Sequence, residues 1–423
     1  MQKRRLRQPL RLVAVAITVA VAVAACGTST QTLRSSPTAP ASAAASIAGS
    51  AGPSVEPDQA VYATIESQVE AVRELQRTST VTPVLLDSAG VRDWLTKANA
   101  AQTNHLALAN ESRLFVHLGL LPAGSDLEQM ELDLQAGQVV GFYDPESKGL
   151  YVLSDSGGVG PVQKITFSHE YTHALQDQVF GLDKLAIDTP DQGDRDLART
   201  ALVEGDATLA MTLWSTANMS LLDLLAVVGD SSSAAQTDQL AKAPTILRES
   251  LMFPYQDGLT FVQSVYSKGG WAAVNKVYAN PPDSTSQILH PELYTQQVKP
   301  VTVTVPAPPA TMPGWKLTMQ DTLGELQLRI WLEGDAAEGS LSAAVDEWAG
   351  DRVALYEGPN GEWAVMLKTE WRTVDGETAF ARALTARLQT LGPSQQCYHD
   401  YHRDVVIASD KAFAFRLLPC IQL

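Results

Sequence analysis

Cysteine, histidine and clustered positive charge are all scarce in this chain of 423 residues, which contains 3 Cys and 7 His. No Cys-x-x-Cys pair occurs, so the usual motif for thiolate metal binding or dithiol redox chemistry is missing. The formal net charge is −16, and no strong cluster of Lys and Arg follows the first eleven residues. Because binding to a phosphate backbone depends on such clusters, we expect no nucleic-acid partner.

The N-terminal apolar stretch is too short for a typical membrane-spanning helix. It runs from Leu12 to Ala25 and follows five basic residues, which is the organisation of a secretory targeting segment. The next residues, to about Asp58, are mostly Ser, Ala, Thr, Pro and Gly, and this composition predicts a disordered tether.

The end of this segment, Val23-Ala24-Ala25-Cys26, resembles the lipobox of bacterial lipoproteins. The resemblance implies that residues 1–25 are removed and that Cys26 becomes lipid-modified. The mature protein would then be extracytoplasmic and lipid-anchored to the bacterial cell membrane, with several acyl chains holding it at the bilayer. An ordinary secretory signal and a retained N-terminal anchor are the alternatives.

Two cysteines remain once Cys26 is assigned to lipid. Cys397 and Cys420 are expected to form one disulfide in an oxidising compartment. They could instead be free buried thiols.

The segment His169-Glu170-Tyr171-Thr172-His173 carries the strongest chemical signal. Residues four apart lie on one face of an α-helix, so two neutral imidazoles can bind a single zinc ion. Glu170 lies about a quarter turn away, where it can act as a general base on water. Pro161 and Gly181 are placed to begin and end the helix. The alternative is that both histidines are ordinary polar residues of a half-buried helix.

A catalytic zinc site needs a third protein ligand, and Glu204 is the best candidate. It lies in an apolar, Ala-rich helical stretch, where a buried acid is costly unless it is paired or metal-bound. Gly205 directly after it permits close approach of another backbone. The alternative makes Glu204 a surface acid or an ion-pair partner of Arg199.

The motif from His169 to His173, followed by the Glu-Gly-x-Ala-Thr stretch from Glu204 to Thr208, resembles the gluzincin zinc metallopeptidases. The longer string that continues Ala-Leu-Gln-Asp-Gln resembles an uncharacterised bacterial branch of that clan. The resemblance implies one Zn²⁺ per chain, held by the two histidines and Glu204, with Glu170 as the base. It also implies a peptide or protein substrate.

Two acids are candidates to accept the second N–H of a zinc-bound histidine. Asp177 lies one turn beyond His173, and Asp206 lies two residues after Glu204. Each could equally be a solvated acid.

Many gluzincins use a downstream Tyr or His to stabilise the oxyanion of the tetrahedral intermediate. His290, which precedes a proline, is the first candidate for this role, and Tyr255 is the second. An exposed histidine in a turn is the alternative interpretation of His290.

Residues 138–153 contain two β-prone runs around a turn and predict a hairpin directly before the metal helix. The resemblance implies a zincin-like edge strand in this hairpin; an ordinary structural hairpin is the alternative. After a Pro-rich connector at 299–309, we expect two helices, a hairpin near Pro359, a helix at 377–391 and a terminal strand pair.

The predicted fold class is α+β. A mainly helical, zincin-like domain (59–298) with a small sheet follows the signal peptide (1–25) and the lipidated tether (26–58), and a small α+β domain (299–423) ends the chain. The expected function is zinc-dependent peptide hydrolysis at the membrane. The rival is a non-catalytic envelope lipoprotein that binds peptides or assembles a complex on the same scaffold.

Overall fold

The computed structural model describes residues 58–102, 104–153, 158–187, 189–229, 238–334, 340–391, 396–399, 404–410, 412 and 417. The expected signal peptide, Cys26 and the tether up to residue 57 lie outside the described residues, and so does Cys420. The lipid anchor and the Cys397–Cys420 disulfide therefore stay predictions.

The described residues form an α+β structure in which helices dominate, as expected. The α-helices are α1 (Asp58–Arg73), α2 (Ser88–Gln102), α3 (His105–His117), α4 (Leu127–Gln138), α5 (Pro161–Phe180), α6 (Gly193–Asn218), α7 (Leu221–Val228), α8 (Thr245–Val277), α9 (Thr285–Leu289), α10 (Pro291–Thr295), α11 (Gly324–Glu333) and α12 (Val374–Thr390). Helix α8 is interrupted at Gly269 and Gly270, whose backbone angles are not helical. No helix of the described residues is both long and apolar enough to cross a bilayer.

Two sheets accompany the helices. The first contains β1 (Pro83–Leu86), β2 (Gly141–Asp144) and β3 (Gly149–Leu153) in the order β1-β3-β2. The second contains β4 (Lys316–Asp321), β5 (Trp348–Glu357), β6 (Trp363–Trp371), β7 (Gln396–His399) and β8 (Asp404–Ala408) in the order β4-β5-β6-β8-β7. Every neighbouring pair in the second sheet is antiparallel.

The hairpin and the helix that follows it form where the sequence predicts them. Strands β2 and β3 pair antiparallel, with Tyr143 opposite Leu150, and β2 is an edge strand of its sheet. Helix α5 begins with Pro161 at its first position, after Gly160, and ends at Gly181. A proline without an N–H costs nothing at that first position, which explains why the helix begins there.

Helices α6 and α8 cross in direct backbone contact at two glycines. A Cβ atom on Gly205 would lie 2.2 Å from the carbonyl carbon and oxygen of Gly258. A Cβ atom on Gly258 would lie 2.3 Å from the carbonyl oxygen of Ala201. Only glycine permits this approach. The close contact also sets the position of Glu204, the residue before Gly205, relative to α8.

One large cluster of buried apolar side chains joins the two halves of the chain. It includes Leu114 of α3, Leu202 of α6, Phe261 of α8, Trp331 of α11 and Val353 of β5. The regions on either side of the expected boundary at 298/299 therefore share a core, and the boundary itself stays a prediction.

The C-terminal region departs from expectation at its start. The expected hairpin near Pro359, the helix α12 and the strand pair β7–β8 are present. Strand β4, which the sequence does not predict, occupies Lys316–Asp321 and pairs with β5 at the edge of the sheet. The sequence predicts two helices after the connector. Of the two, only α11 is an α-helix, and residues 342–344 form a single 3₁₀ turn.

Candidate metal centre

Helix α5 presents both histidines of the motif on one buried face. The Nε2 atoms of His169 and His173 lie 3.1 Å apart, and the two rings are nearly perpendicular. Every residue from 166 to 177 is buried, so this part of the helix is enclosed on all sides. The stacking of positions four apart on a helix produces this pairing.

Helix α6 supplies Glu204 to the same point. Its Oε2 atom lies 3.1 Å from Nε2 of His169 and 3.3 Å from Nε2 of His173. The side chain of Glu204 is only 2% exposed. The expected alternative partner, Arg199, instead lies 3.1 Å from Asp283, so Glu204 is not engaged in that ion pair.

The three side chains form a group that could hold a metal ion. Tetrahedral zinc with bonds of roughly 2.0–2.1 Å has ligand atoms about 3.3 Å apart. The three observed separations of 3.1, 3.1 and 3.3 Å fit that spacing. Two imidazoles and one carboxylate are also a donor set that zinc accepts in catalytic sites. The residues present therefore fit the expected ion.

The two histidines and Glu204 change one another's pKa values. Burial would raise the pKa of Glu204, but the adjacent His173 and His169 hold it below its usual range. Burial alone would lower the pKa of His173, but Glu204 and Glu170 raise it instead. Burial lowers the pKa of His169. A bound divalent cation would supply the charge that these side chains otherwise draw from a proton.

Glu170 lies beside this group in an enclosed position. It is fully buried, and neither carboxylate oxygen makes a well-aligned hydrogen bond among the described residues, although the backbone N–H of Tyr143 is near enough to favour its charged form. Burial raises its pKa well above the ordinary value, and Glu204 adds to the effect, whereas His173 and the backbone amide of Tyr143 oppose it. Such a carboxyl group can hold a proton near neutral pH.

Strand β2 passes directly against Glu170. A Cβ atom on Gly141 would lie 3.4 Å from Cγ of Glu170 and 2.7 Å from Cγ2 of Thr166. The absence of a side chain at Gly141 therefore lets the edge strand approach helix α5.

A chain of buried polar groups orients His173. Its Nδ1 atom lies 2.8 Å from Oε1 of Gln176, and the amide nitrogen of Gln176 donates to Oδ2 of Asp206 at 3.0 Å. Asp206 in turn accepts from Nε of Arg73 at 2.6 Å and from the hydroxyl of Tyr278 at 2.6 Å. Asp206 thus acts on His173 through Gln176, one step further away than the sequence predicts.

Asp177 does not take the role expected of it. Gln176 is the hydrogen-bond partner of His173, while Asp177 accepts from the hydroxyl of Tyr143 at 2.8 Å and from Lys148 at 2.6 Å. Consecutive helix positions point about 100° apart, so the two side chains diverge. Asp177 instead ties the hairpin to α5.

The two candidates for oxyanion stabilisation lie in different places. The ring centroid of Tyr255 on α8 is 6.2 Å from that of His169, and the tyrosine is buried. Nε2 of His290 instead lies 2.7 Å from Oε1 of Glu325. This pair is near the beginning of α6, where the hydroxyl of Thr285 donates a hydrogen bond to Asp194. Ten residues of helix, about 15 Å, separate Asp194 from Glu204. His290 is therefore engaged by Glu325 of α11, and its role in oxyanion stabilisation stays a prediction.

Sequence reasoning missed Gln176 and Arg73. Gln176 had a usable signal, because it follows His173 by three positions and therefore lies on the same helix face. Arg73 had none, since its partners Asp206 and Asn275 are 133 and 202 residues away in the chain.

Comparisons with known proteins give little functional information. A family described as a domain of unknown function, DUF8575, matches residues 315–417, within the expected C-terminal region. A solved structure from Chloroflexus aurantiacus, described as a "putative hydrolase with a novel fold", is 18% identical with a TM-score of 0.38, over 56% of this chain and 88% of that one. No curated protein matches the chain. The function is therefore inferred from the geometry of the site.

Proposed function

We propose that this protein is a zinc-dependent peptidase with a zincin-like catalytic domain, anchored outside the cytoplasm through Cys26. The observation that carries the proposal is the convergence of Glu204 with His169 and His173 beside the buried carboxyl group of Glu170. This arrangement combines three side chains that can bind a metal ion with one buried carboxyl group, that of Glu170, which is not one of the ligands. A purely structural metal site has no need for the fourth group.

The chemistry divides between the ion and the protein. Zn²⁺, when bound, supplies Lewis acidity that polarises a peptide carbonyl and makes water more acidic. Glu170 takes a proton from the attacking water onto its carboxylate and then delivers it to the nitrogen of the leaving amine. Burial raises the pKa of Glu170, which favours the intermediate state in which it holds that proton; the positive charge of the ion, when bound, would favour the ionised carboxylate that takes the proton first.

The chain's other residues position these groups. Gln176 holds His173 through Nδ1, which leaves Nε2 directed at the metal position. Asp206 and the buried Arg73 hold Gln176 in turn. Tyr255 is the nearer candidate to donate a hydrogen bond to the developing oxyanion.

Strand β2 offers a place for the substrate backbone. It is an edge strand, and its Gly141 lies against Glu170. An extended peptide that paired with such an edge would bind mainly through its backbone, with little sequence preference. We therefore infer peptide or unfolded protein segments as the substrate class.

The test is the Glu170→Gln variant. Glutamine has the same shape but cannot accept the proton, so cleavage of a quenched peptide library should fall by at least about 10²- to 10⁴-fold. Zinc content should stay at the parent level, because Glu170 is not a ligand. Glu249→Gln, a buried acid of α8 outside the site, is the matched control and should cleave normally. Full activity in Glu170→Gln would contradict the assignment.

One observation favours the rival function of peptide binding without cleavage. His169 is 4% exposed, and His173 and Glu170 are 0% exposed, so the described structure shields the site from water. Under this alternative, the parent would bind library peptides with zinc present and would show no chelator-sensitive cleavage. Cleavage that chelator abolishes and zinc restores would decide for the enzyme.

The anchor is tested independently of catalysis. Cys26→Ser should lose incorporation of labelled fatty acid in bacterial cells, while Cys397→Ser should retain it. Equal labelling of Cys26→Ser and the parent would refute the lipid anchor.

A further inference from the structure

A second group of metal-binding side chains lies outside the site described above. His290 precedes α10, Glu325 lies in the first turn of α11, and Asp346 lies in the turn before β5. One potential ligand atom from each lies within 4.8 Å of the other two. Three separate chain segments therefore bring one nitrogen and two oxygen donors to a common point.

Glu325 has an unsatisfied carboxylate oxygen at this point. Its side chain is 3% exposed. One carboxylate oxygen lies 2.7 Å from Nε2 of His290, and the other is buried without a hydrogen-bond partner among the described residues. A buried carboxylate oxygen without a donor is costly, and a cation at the meeting point of the three side chains would satisfy it.

The positively charged side chain of Arg372 lies nearby but is bound to other groups. The guanidinium of Arg372 donates to the backbone carbonyl oxygens of Asp346 and Trp348, and its ion pair is with Glu347 at 3.3 Å. When His290 is neutral, as a metal ligand must be, the two carboxylates of the group would carry a charge that a divalent ion matches.

We propose that His290, Glu325 and Asp346 form a second Zn²⁺ site. Mixed imidazole and carboxylate donors suit first-row divalent metals such as zinc better than Ca²⁺ or Mg²⁺, which prefer all-oxygen ligands. His290 and Asp346 are partly exposed, so ions can enter and water can complete the coordination. Glu292 lies 3.8 Å from Nδ1 of His290, on the side of the ring away from Glu325.

The site has a structural role. His290 belongs to the region before the Pro-rich connector, whereas Glu325 and Asp346 belong to the region after it. A shared ion would tie these two regions and would stabilise only the folded chain, since the unfolded chain does not hold the ligands together.

The experiment uses the full chain with His169→Ala and His173→Ala, which removes the first site. After removal of metal with a chelator, titration with Zn²⁺ alone should give one equivalent and raise the midpoint of thermal unfolding. Loss of an outer contact already weakens metal binding about 10- to 100-fold, so Glu325→Gln in this background should weaken binding at least about 100-fold. The thermal shift should disappear with it.

Asp346→Asn provides a second, partly exposed variant and should give the same loss if Glu325→Gln fails to fold. His105→Ala is the matched control, because His105 forms an exposed pair with Glu128 at 2.8 Å and lies outside the group. Absence of zinc binding in the His169/His173 background would overturn the proposal, as would binding that neither variant weakens. If the chain with His169→Ala and His173→Ala still binds zinc but a chain with Glu325→Gln alone does not, the first site is refuted.

Discussion

Replacement of Gly205 by alanine tests how the fold positions the third ligand. The new Cβ atom would lie 2.2 Å from the carbonyl carbon and oxygen of Gly258, and 2.8 Å from the amide nitrogen of Leu259. Ordinary contact begins near 3.4 Å, so α6 and α8 must separate by about 1.2 Å at their crossing. Since the obstructing atoms are backbone, no side chain can rotate away to relieve the contact.

Two opposing effects set the size of the change in stability. Alanine improves helix propensity by about 1 kcal/mol relative to glycine. Overpacking of a close helix crossing costs about 1–3 kcal/mol, and a backbone clash belongs at or above the top of that range. We therefore expect Gly205→Ala to lower the free energy of unfolding by about 2 kcal/mol.

The same displacement should impair metal binding. A shift of Glu204 by about 1 Å far exceeds the tolerance of roughly 0.2 Å for a metal–ligand distance, so zinc affinity should fall at least about tenfold. Urea unfolding measures the stability, and competition with a chromophoric chelator measures the affinity. Gly158→Ala is the control, because its Cβ meets no atom within 4 Å. Parent-like stability and affinity in Gly205→Ala would refute the reasoning.

Two further predictions concern buried charges. Arg73→Met leaves Asp206 buried without its guanidinium partner, so the free energy of unfolding measured by urea denaturation should fall by about 3–5 kcal/mol. Asp206→Asn in the same chain should recover part of the loss. An Arg73→Met chain as stable as the parent would contradict this prediction. Burial raises the pKa of Asp194 to about 8 and that of Asp351 to about 6. The folded protein therefore retains protons that the unfolded chain releases near pH 4. The free energy of unfolding should consequently fall as the pH rises from about 4 to 8. Asp194→Asn, which stays neutral, should flatten this decline between about pH 6 and 8, and an unchanged slope there would show that Asp194 does not titrate as stated.

The sequence predicts the local parts of the site well because their signals are local. Pro161 and Gly181 mark the ends of α5, and helical spacing alone brings His169 and His173 together. Glu204 also follows from local sequence, since an acid in an apolar, Ala-rich helix needs a partner. Its meeting with the histidine pair across 35 positions in the chain agrees with the arrangement that the gluzincin resemblance implies.

The parts that could not be predicted depend on contacts between distant segments. The sequence indicates a close backbone approach at Gly205 but not its partner, since the contact with Gly258 and the Arg73–Asp206 pair are visible only when α6 packs against α8 and α1. His290 shows the same limit, because its turn suggests exposure until α11 brings Glu325 against it. A single sequence carries no signal for these meetings.

The zinc content of matched variants is the decisive measurement for the metal centre. In the full chain carrying Glu325→Gln, which removes the second proposed site, the account predicts one tightly bound zinc per chain when Glu204 is present. Glu204→Ala in that background should bind none under the same conditions, while Glu249→Gln should keep the full equivalent. Stoichiometric zinc of parent-like affinity in the Glu204→Ala chain would contradict the account.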